Sequence, residues 1–329
     1  MSAERQNRMI YPAAALCVLA AFAVSLCVGR YPLSMADIAA AVCGGEGMAA
    51  QVFWRLRLPR SAAVLASGMA MGLSGAVYQQ VFSNPLAAPD VMGVSGGATL
   101  GAAAAIVLFS GSWVAPGAFV GGMAALIGSL LLTRATGRRD TGSIVLSGIL
   151  LSALSKTGIM LLKATADSEG ELAAIEFFTM GSFSSVTART LPTLLGGIGI
   201  GMLVLFLLRR QVALLTLGEE EAAALGVSVA PVRAVILTAA TLMACAVGAH
   251  AGVIAFSALI APHGARLLLR GRSRGMMLLS VLTGGALMLL ADITARLTPG
   301  AELPTSIFTT ILGAAMLVSL MVKGGKRNG

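Results

Sequence analysis

The residues that could do chemistry are concentrated in one charged stretch of this chain. Residues 209–233 read RRQVALLTLGEEEAAALGVSVAPVR and hold the only run of three consecutive acids, Glu219 to Glu221. We predict a short helix over residues 214–225, because acids in its early turns suit the helix dipole and Gly226 would end it. The stretch is either a solvated loop capped by charges or a helix that docks on a partner.

Elsewhere the chain offers few groups for catalysis or metal binding. Its four cysteines show no C-x-x-C spacing, at least three of them fall in or beside apolar segments, and there are only two histidines. No disulfide framework, metal site or cofactor is indicated. The chain also lacks G-x-x-x-x-G-K-[ST], since Gly324-Gly325-Lys326 is followed by Arg327. We therefore expect a protein that is not itself an ATP-hydrolysing enzyme.

The elements around the charged stretch are those of an integral membrane protein. Hydrophobic residues make up 57% and charged residues 11% of the 329, and the mean hydropathy is +0.89. Soluble domains carry about 25% charged residues. The apolar runs do not alternate with period two, so we predict helices and not a barrel. The net charge of +9 comes from Lys and Arg at segment ends, where they set topology, and does not indicate nucleic-acid binding.

Ten apolar segments are long enough, or nearly so, to cross about 30 Å of hydrocarbon. They cover residues 9–28, 61–82, 91–110, 114–134, 143–164, 190–208, 232–249, 253–269, 276–295 and 305–323. No A-x-A cleavage site follows the first, so we interpret it as a retained helix behind a cytoplasmic tail of residues 1–8. Gly-xxx-Gly spacings, as at Gly68 and Gly117, are typical of closely packed membrane helices.

Basic residues orient the bundle. With the N-terminus inside, 15 of the 23 Lys and Arg residues fall on the cytoplasmic side. These are Arg5, Arg8, Arg134, Arg138, Arg139, Arg209, Arg210, Arg233, Arg266, Arg270, Arg272, Arg274, Lys323, Lys326 and Arg327. The bias places both termini, including the tail 324–329, in the cytoplasm. Arg57, Arg60 and Arg296 fall outside, against the rule.

The loop between the second and third spans carries more specific residues than a turn demands. It reads SNPLAAPD over residues 83–90 and is flanked by GLSGAVYQQ and GVSGGA. Its two prolines stop both helices, and Asn84 and Asp90 can satisfy the freed backbone groups. This stretch resembles the equivalent loop of the FecCD-type family, the ABC permeases that import iron-siderophores, haem and cobalamin.

Further motifs match the same family in the family's order, from about residue 50 to residue 315. They are RLPR at 57–60, LSG at 146–148, MGS at 180–182, LGE to LGV at 217–227, APH at 261–263 with Arg266, and Asp292 with Arg296 followed by ELP at 302–304. The last span departs from the pattern: it has PTSI and GAAM where such permeases carry PVGI and GAPFF. The lining near the last helix therefore stays open.

The resemblance implies an architecture and a set of partners. It implies an all-α, ten-helix permease domain over residues 1–329 that homodimerises around a central path in the cell inner membrane. Pairing with a related permease stays open. The implied partners are two ATP-binding subunits, a periplasmic or lipid-anchored substrate-binding protein, a second copy and membrane lipid. The implied cargo is an iron chelate, haem or cobalamin, moved into the cytoplasm.

The resemblance also implies roles for three sets of residues. ATPase coupling would fall to Leu217, Gly218, Glu219, Glu220, Glu221, Ala222, Leu225 and Gly226, within the coupling segment 209–233. Docking of the binding protein would fall to Arg57, Arg60 and Arg296, which could instead anchor helix ends at the interface. The path and its cytoplasmic gate would contain Asn84, Leu86, Gly142, Ser143 and Lys156. Lys156 would meet an anionic cargo or pair with a neighbouring helix.

Two other classes of function compete with this interpretation. A secondary transporter driven by an ion gradient would place ionisable groups or unwound backbone at the midplane, where only Lys156 qualifies. A membrane-embedded enzyme would need a catalytic pair or a metal cluster, which His250, His263 and the scattered carboxylates do not form in the sequence. We expect Asp292 and His263 to be structural. The motifs favour the ABC importer permease.

Overall fold

The structure is a computed structural model that describes residues 3–109, 113–137, 141–167, 170–269, 275–299 and 302–325. Within these residues the chain forms α-helices and contains no strand. The helices are α1 (Ala3–Cys27), α2 (Met35–Val42), α3 (Met48–Val52), α4 (Leu58–Val81), α5 (Val94–Phe109), α6 (Val114–Ala135), α7 (Thr141–Thr165), α8 (Glu171–Met180), α9 (Leu191–Leu207), α10 (Arg209–Leu215), α11 (Glu219–Ala224), α12 (Val229–Ala251), α13 (Ser257–Leu268), α14 (Met276–Leu297) and α15 (Thr305–Gly325). The predicted all-α fold is confirmed.

Helices occupy all ten segments that the sequence assigns to the membrane. In the part of the chain that the structure describes, six stretches are long and apolar enough to cross a bilayer on their own. They are Met9–Cys27, Met48–Val81, Val114–Ala135, Gly142–Thr165, Val229–Ala251 and Met276–Leu297. Helices α9 and α10, bent by 65° at Leu208, would make a seventh. Helices α5, α13 and α15 are shorter in apolar length, so the count of ten spans stays a prediction.

Several residues of the charge count lie outside the described residues. They are Arg138, Arg139, Arg270, Arg272, Arg274, Lys326 and Arg327. The same holds for residues 326–329 of the predicted C-terminal tail. The orientation of the bundle therefore rests on the sequence.

Contacts divide the chain into two compact units. Unit 1 comprises Met1–Gly72, Ser182–Leu191 and Ile254–Gly329, and unit 2 comprises Leu73–Gly181 and Pro192–Val253. The boundary falls inside α4, between Gly72 and Leu73. That the whole chain acts as one permease domain stays a prediction.

Helix α14 is the central helix of unit 1. It packs against α1, α13 and α15, and its residues Leu279, Met288 and Leu289 are fully buried. The first half of α4 also approaches it closely, because a Cβ atom at Gly68 would lie only 2.7 Å from the Cβ of Met288. The close packing predicted from the Gly68-xxx-Gly72 spacing is present.

Helix α5 is the central helix of unit 2. It packs against α6, α7 and α12, and Ala102 of α5 and Ala118 of α6 are fully buried between them. A Cβ atom at Gly117 would lie 2.5 Å from the carbonyl oxygen of Gly101 and 2.9 Å from the Cβ of Ala105. Glycine is required here because the two backbones touch.

The short helix α2 lies between the first two predicted spans and starts at a capping box. The Ser34 side chain accepts a hydrogen bond from the N–H of Asp37 at 3.1 Å, and the Asp37 carboxylate accepts from the N–H of Ser34 at 2.8 Å. The hydrogen bonds from the Ser34 hydroxyl and N–H lower the pKa of Asp37. These bonds satisfy backbone donors that the first turn leaves free.

Candidate functional site

Three arginines meet in unit 1 and form a cluster with two carboxylates. Arg60, two residues into α4, donates to Oδ1 of Asp292 from Nε at 3.2 Å and from Nη2 at 2.7 Å. Its Nη2 also donates to the carboxylate of Glu302, in the segment before α15. Asp292 is fully buried, whereas the side chain of Glu302 is 26% exposed. In the sequence, Glu302 is distinguished only as part of the ELP motif at residues 302–304.

Arg296 completes the inner side of this arginine cluster. Its Nη2 lies 2.9 Å from Oδ2 of Asp292, one helical turn earlier on α14. It also donates to the carbonyl oxygens of Ser25 and Val28, at 2.9 and 2.7 Å, and to the Ser25 hydroxyl at 2.6 Å. The i, i+4 spacing of Asp292 and Arg296 could have suggested the pair, but nothing in the sequence marks Ser25 as a partner. The structural role expected of Asp292 fits this geometry.

Arg57 is bound by main-chain carbonyls. Its guanidinium donates to the carbonyl oxygens of Val28 and Tyr31, the latter at 3.0 Å, and the residue is only 8% exposed. Among the described residues, no carboxylate oxygen lies within 4.0 Å of it. A side chain at Gly29 would overlap this guanidinium, so a glycine is needed there. Arg57 is therefore held in place while its charge stays without a directly paired acid.

A cavity of about 440 Å³ opens beside the arginine cluster. Its lining includes Arg30, Arg57, Arg60, Arg296 and Glu302. Even with the buried Asp292 counted, the arginines outnumber the carboxylates four to two. An excess of guanidinium groups around a part-enclosed space favours an anion, because these groups match carboxylates and phosphates geometrically.

The coupling segment folds differently from the prediction. Instead of one helix over residues 214–225, the structure has α10 ending at Leu215 and α11 beginning at Glu219. The break falls at Gly218, whose φ of 122° lies outside the range that helices use. The expected helix start at residue 214 is thus wrong. The expected stop is confirmed, since Gly226 follows the last turn with a φ of 84°, which ends the helix.

The end of α11 is a Schellman motif. The N–H of Gly226 donates to Ala223 at 2.9 Å, and the N–H of Val227 donates to Ala222 at 3.0 Å. Ala222 itself is fully buried and fixes the helix on the bundle. Glu219 pairs with Arg233 of α12, and Glu221 turns back toward Gly218. The helix is therefore fixed at both ends and on one face.

The residues that flank α11 are apolar and exposed. Leu217 is 57% and Leu225 60% exposed, and Glu220 lies between them in sequence with its side chain in solvent. The segment follows the bend at Leu208, outside the apolar part of α9. Exposed leucines on either side of a short helix that carries an exposed acid are typical of a protein contact surface.

Helix α12 connects this surface to the interior of unit 2. Its first turns carry Arg233, which holds α11, and the helix then packs against α5 and α6. The Ser74 hydroxyl donates to the carbonyl of Ala240 at 2.8 Å, and the hydroxyls of Tyr78 and Thr241 lie 2.6 Å apart. These buried bonds tie α12 to the second half of α4.

The predicted gate residues lie in and beside the loop before α5. The side chain of Asn84 accepts from the N–H of Leu86 at 2.9 Å, and Leu86 is 49% exposed. Further along, a Cβ atom at Gly148 would overlap the carbonyl of Val91, so the loop packs against α7. Gly142 and Ser143 open that same helix. The contact with α7 thus falls at Gly148, five residues beyond Ser143.

Lys156 lies on the exposed side of α7. The exposed Ile149 and Met160 flank it on the same helix face, with Ile149 58% and Met160 70% exposed. Among the described residues Lys156 forms no ion pair, whereas Lys163 lies 2.5 Å from the Glu176 carboxylate. Pairing of Lys156 with a neighbouring helix of the same chain, the alternative left open by the sequence, is not found in these residues.

An all-helical bundle with several helices long and apolar enough to cross a bilayer is the architecture of a membrane permease. A model of the FecCD transport family matches residues 17–323, and the chain belongs to this family. The resemblance drawn from the motifs is confirmed.

Curated relatives and a solved structure agree with the family. The molybdate import system permease protein MolB of Haemophilus influenzae is 33% identical over 98% of both chains. A vitamin B12 import system permease protein BtuC of Escherichia coli is 34% identical over 98% of both chains. A solved transporter assigned to the metal-chelate ABC type, in an inward-facing conformation, is 31% identical over 98% of this chain, with a TM-score of 0.82. The chain is therefore a transport subunit of an ABC importer.

Proposed function

We propose that this permease imports a metal chelate, with a ferric siderophore, haem or cobalamin as the candidates, across the cell inner membrane. The cobalamin permease relatives and the metal-chelate type of the solved structure support this cargo class. Two copies would enclose the path, two ATP-binding subunits would supply the energy, and a substrate-binding protein would deliver the cargo. Molybdate is the second candidate cargo, because a relative of equal coverage carries it by name.

One observation carries the coupling part of this proposal. Helix α11 is held by Ala222 and by the pair of Glu219 with Arg233, yet Glu220 on the helix and the flanking Leu217 and Leu225 are exposed. A short, fixed helix flanked by exposed leucines suits a groove in an ATP-binding subunit. Because α11 is tied to α12, closure of the ATP-binding subunits would move α12 and the helices packed on it.

The arginine cluster is the proposed docking site for the binding protein. Its cavity carries more arginine than carboxylate, which complements an acidic partner surface. Arg57 and Arg296 are 8% exposed each, so they would act mainly as fixed charges behind the surface, whereas Arg60 reaches Glu302 at the more open side. Docking would thus depend on the guanidinium groups of these three arginines being held in place by their hydrogen bonds.

Lys156 supports a path along α7. A Lys in the middle of a 25-residue apolar helix is costly against lipid, and this one is exposed on the single chain. A second copy or a water-filled path on this side would remove the conflict. The residues Asn84, Leu86, Gly142 and Ser143 would close such a path toward the cytoplasm.

Reconstitution in liposomes tests the function directly. The permease is assayed together with the ATP-binding subunit and the substrate-binding protein of the same importer for uptake of a ⁵⁵Fe-siderophore, haem, cobalamin and molybdate. We expect ATP-dependent uptake of one metal chelate and none of molybdate. Uptake of molybdate alone would show that molybdate, and not a metal chelate, is the cargo. Uptake that persists without ATP but stops with an uncoupler would support a secondary transporter instead.

A charge reversal tests the coupling surface. Glu220→Lys should reduce co-purification of the ATP-binding subunit and its transport-stimulated ATPase activity, while Glu171→Lys, at the start of α8, serves as the matched control. Glu220 is chosen because it is exposed, whereas Glu219 is paired with Arg233. Unchanged co-purification and ATPase stimulation in Glu220→Lys would remove α11 from the coupling role.

A further inference from the structure

The two carboxylates of the arginine cluster differ in a way that separates their roles. Asp292 is fully buried and shared between Arg60 and Arg296. Glu302 is 26% exposed, lines the cavity, and forms its ion pair with Arg60 alone among the described residues. Movement of Asp292 would therefore remove the shared carboxylate of two guanidinium groups. Movement of Glu302 would leave Arg60 paired with Asp292.

The position of Glu302 also favours exchange. It belongs to the short segment before α15 and is not part of a helix. If Glu302 moved away, Arg60 would keep both of its hydrogen bonds to Asp292. Arg60 and Glu302 both line the cavity, so an incoming acid would reach Arg60 from there. The cost of losing one part-exposed ion pair is small, because such pairs contribute little in water.

We propose that Glu302 is an internal stand-in for the carboxylate of the docking partner. It neutralises Arg60 in the undocked permease and gives Arg60 up when an acidic side chain of the substrate-binding protein enters the cavity. The inference rests on the proposed docking role of the arginine cluster. It makes the contact an exchange of one carboxylate for another, so Arg60 is never left unpaired and the undocked permease binds stray anions weakly.

The exchange predicts an effect opposite to that of a structural ion pair. Glu302→Gln removes the competing charge and keeps the shape, so affinity for an acidic partner should rise about two- to fivefold, the range expected for one part-exposed pair. A merely structural Glu302 would give weaker docking when neutralised. Glu46→Gln is the matched control, since Glu46 is also an exposed acid in unit 1 and lies outside the cluster.

A double-mutant cycle isolates the contribution of Arg60. The probes are a hexaglutamate peptide and the substrate-binding protein of the same importer, with Kd measured against detergent-purified permease at fixed salt. Glu302→Gln should tighten both Kd values in the parent but not in the Arg60→Gln background. Asp292 keeps its pair with Arg296 in that background, and thermal melting checks that each variant is folded.

Each outcome has a definite meaning. If Arg60→Gln weakens docking but Glu302→Gln leaves affinity unchanged, lowers it, or raises it no more than Glu46→Gln, the exchange is overturned and docking stands. If Arg60→Gln leaves affinity at the parental value, the docking role fails and the exchange fails with it. Hydrogen exchange gives a second measurement: protection of the main-chain amides of Glu302 and Leu303 should fall on docking, and a rise would contradict the inference.

Discussion

The carboxylate of Asp292 lies 2.7 Å from Nη2 of Arg60, although 232 positions of sequence separate the two residues. The same carboxylate holds Arg296, so one fully buried acid orients two of the three predicted docking arginines. A buried ion pair depends on both partners, because removing one leaves an uncompensated charge. The docking surface proposed here is therefore built on an internal network.

Asp292→Ala should destabilise the permease strongly. It leaves Arg60 and Arg296 without their shared carboxylate, which should cost about 3–5 kcal/mol of unfolding free energy. Thermal melting in detergent measures the loss, with Glu302→Ala as the control. Since Glu302 is 26% exposed, its removal should cost less than about 1 kcal/mol. Equal melting temperatures for the two variants would contradict the assignment of Asp292 as the central partner.

Gly101→Ala should disturb the packing of α5 on α6. A Cβ atom there would overlap the carbonyl of Gly117, so the two helices must move apart, at a cost of about 1–3 kcal/mol. Gly196→Ala, in α9, is the control because a Cβ at Gly196 meets nothing within 4 Å. Melting in detergent compares them. A Gly101→Ala variant as stable as Gly196→Ala would show that the two helices are not in backbone contact.

Asp90→Asn should stabilise the protein at neutral pH. Burial raises the pKa of Asp90, although a hydrogen bond from Ser95 lowers it in part. A carboxyl whose pKa is raised by folding contributes most below its unfolded pKa of about 3.9, and this contribution is lost as the pH rises through the folded value. An Asn cannot ionise, so the variant should melt higher than the parent at pH 7, with the gap closing toward pH 4.

Asp37→Asn provides the comparison of opposite sign. Hydrogen bonds from Ser34 lower the pKa of Asp37, so its ionised form contributes stability above the unfolded pKa, and this is lost as the pH falls. This variant should melt below the parent at pH 7, with a difference that shrinks on acidification. The same sign for both variants would show that burial does not determine the behaviour of Asp90.

Lys156→Cys should react with a water-soluble thiol reagent in the assembled transporter. The reason is that a cation in the apolar α7 needs water or a partner on its exposed side. Leu161→Cys is the control, because its side chain is 66% exposed but points roughly 140° away around the helix, toward lipid. The native cysteines are first replaced by serine, since Cys17 and Cys43 are exposed. Equal labelling of the two positions would place Lys156 away from an aqueous path.

Much of the fold was predictable because membrane helices are encoded locally. Long apolar runs must form helices in a bilayer to satisfy their backbone groups, so their positions follow from hydropathy. Gly226 ends α11 as expected, because glycine adopts a positive φ without the steric cost that a Cβ atom would add. Gly218 also has a positive φ, and it interrupts the predicted helix between Leu215 and Glu219. The sequence did not show that Gly218 as well as Gly226 would adopt this conformation.

The sequence by itself determined the helical class, the family motifs and which arginines stand against the charge rule. Only the tertiary structure decided their partners: Arg60 with Asp292 and Glu302, Arg57 with two carbonyls, and Arg296 with Ser25. The physical reason is range. Hydropathy and turn residues act over one helix, whereas an ion pair across 232 positions exists only after the helices have packed.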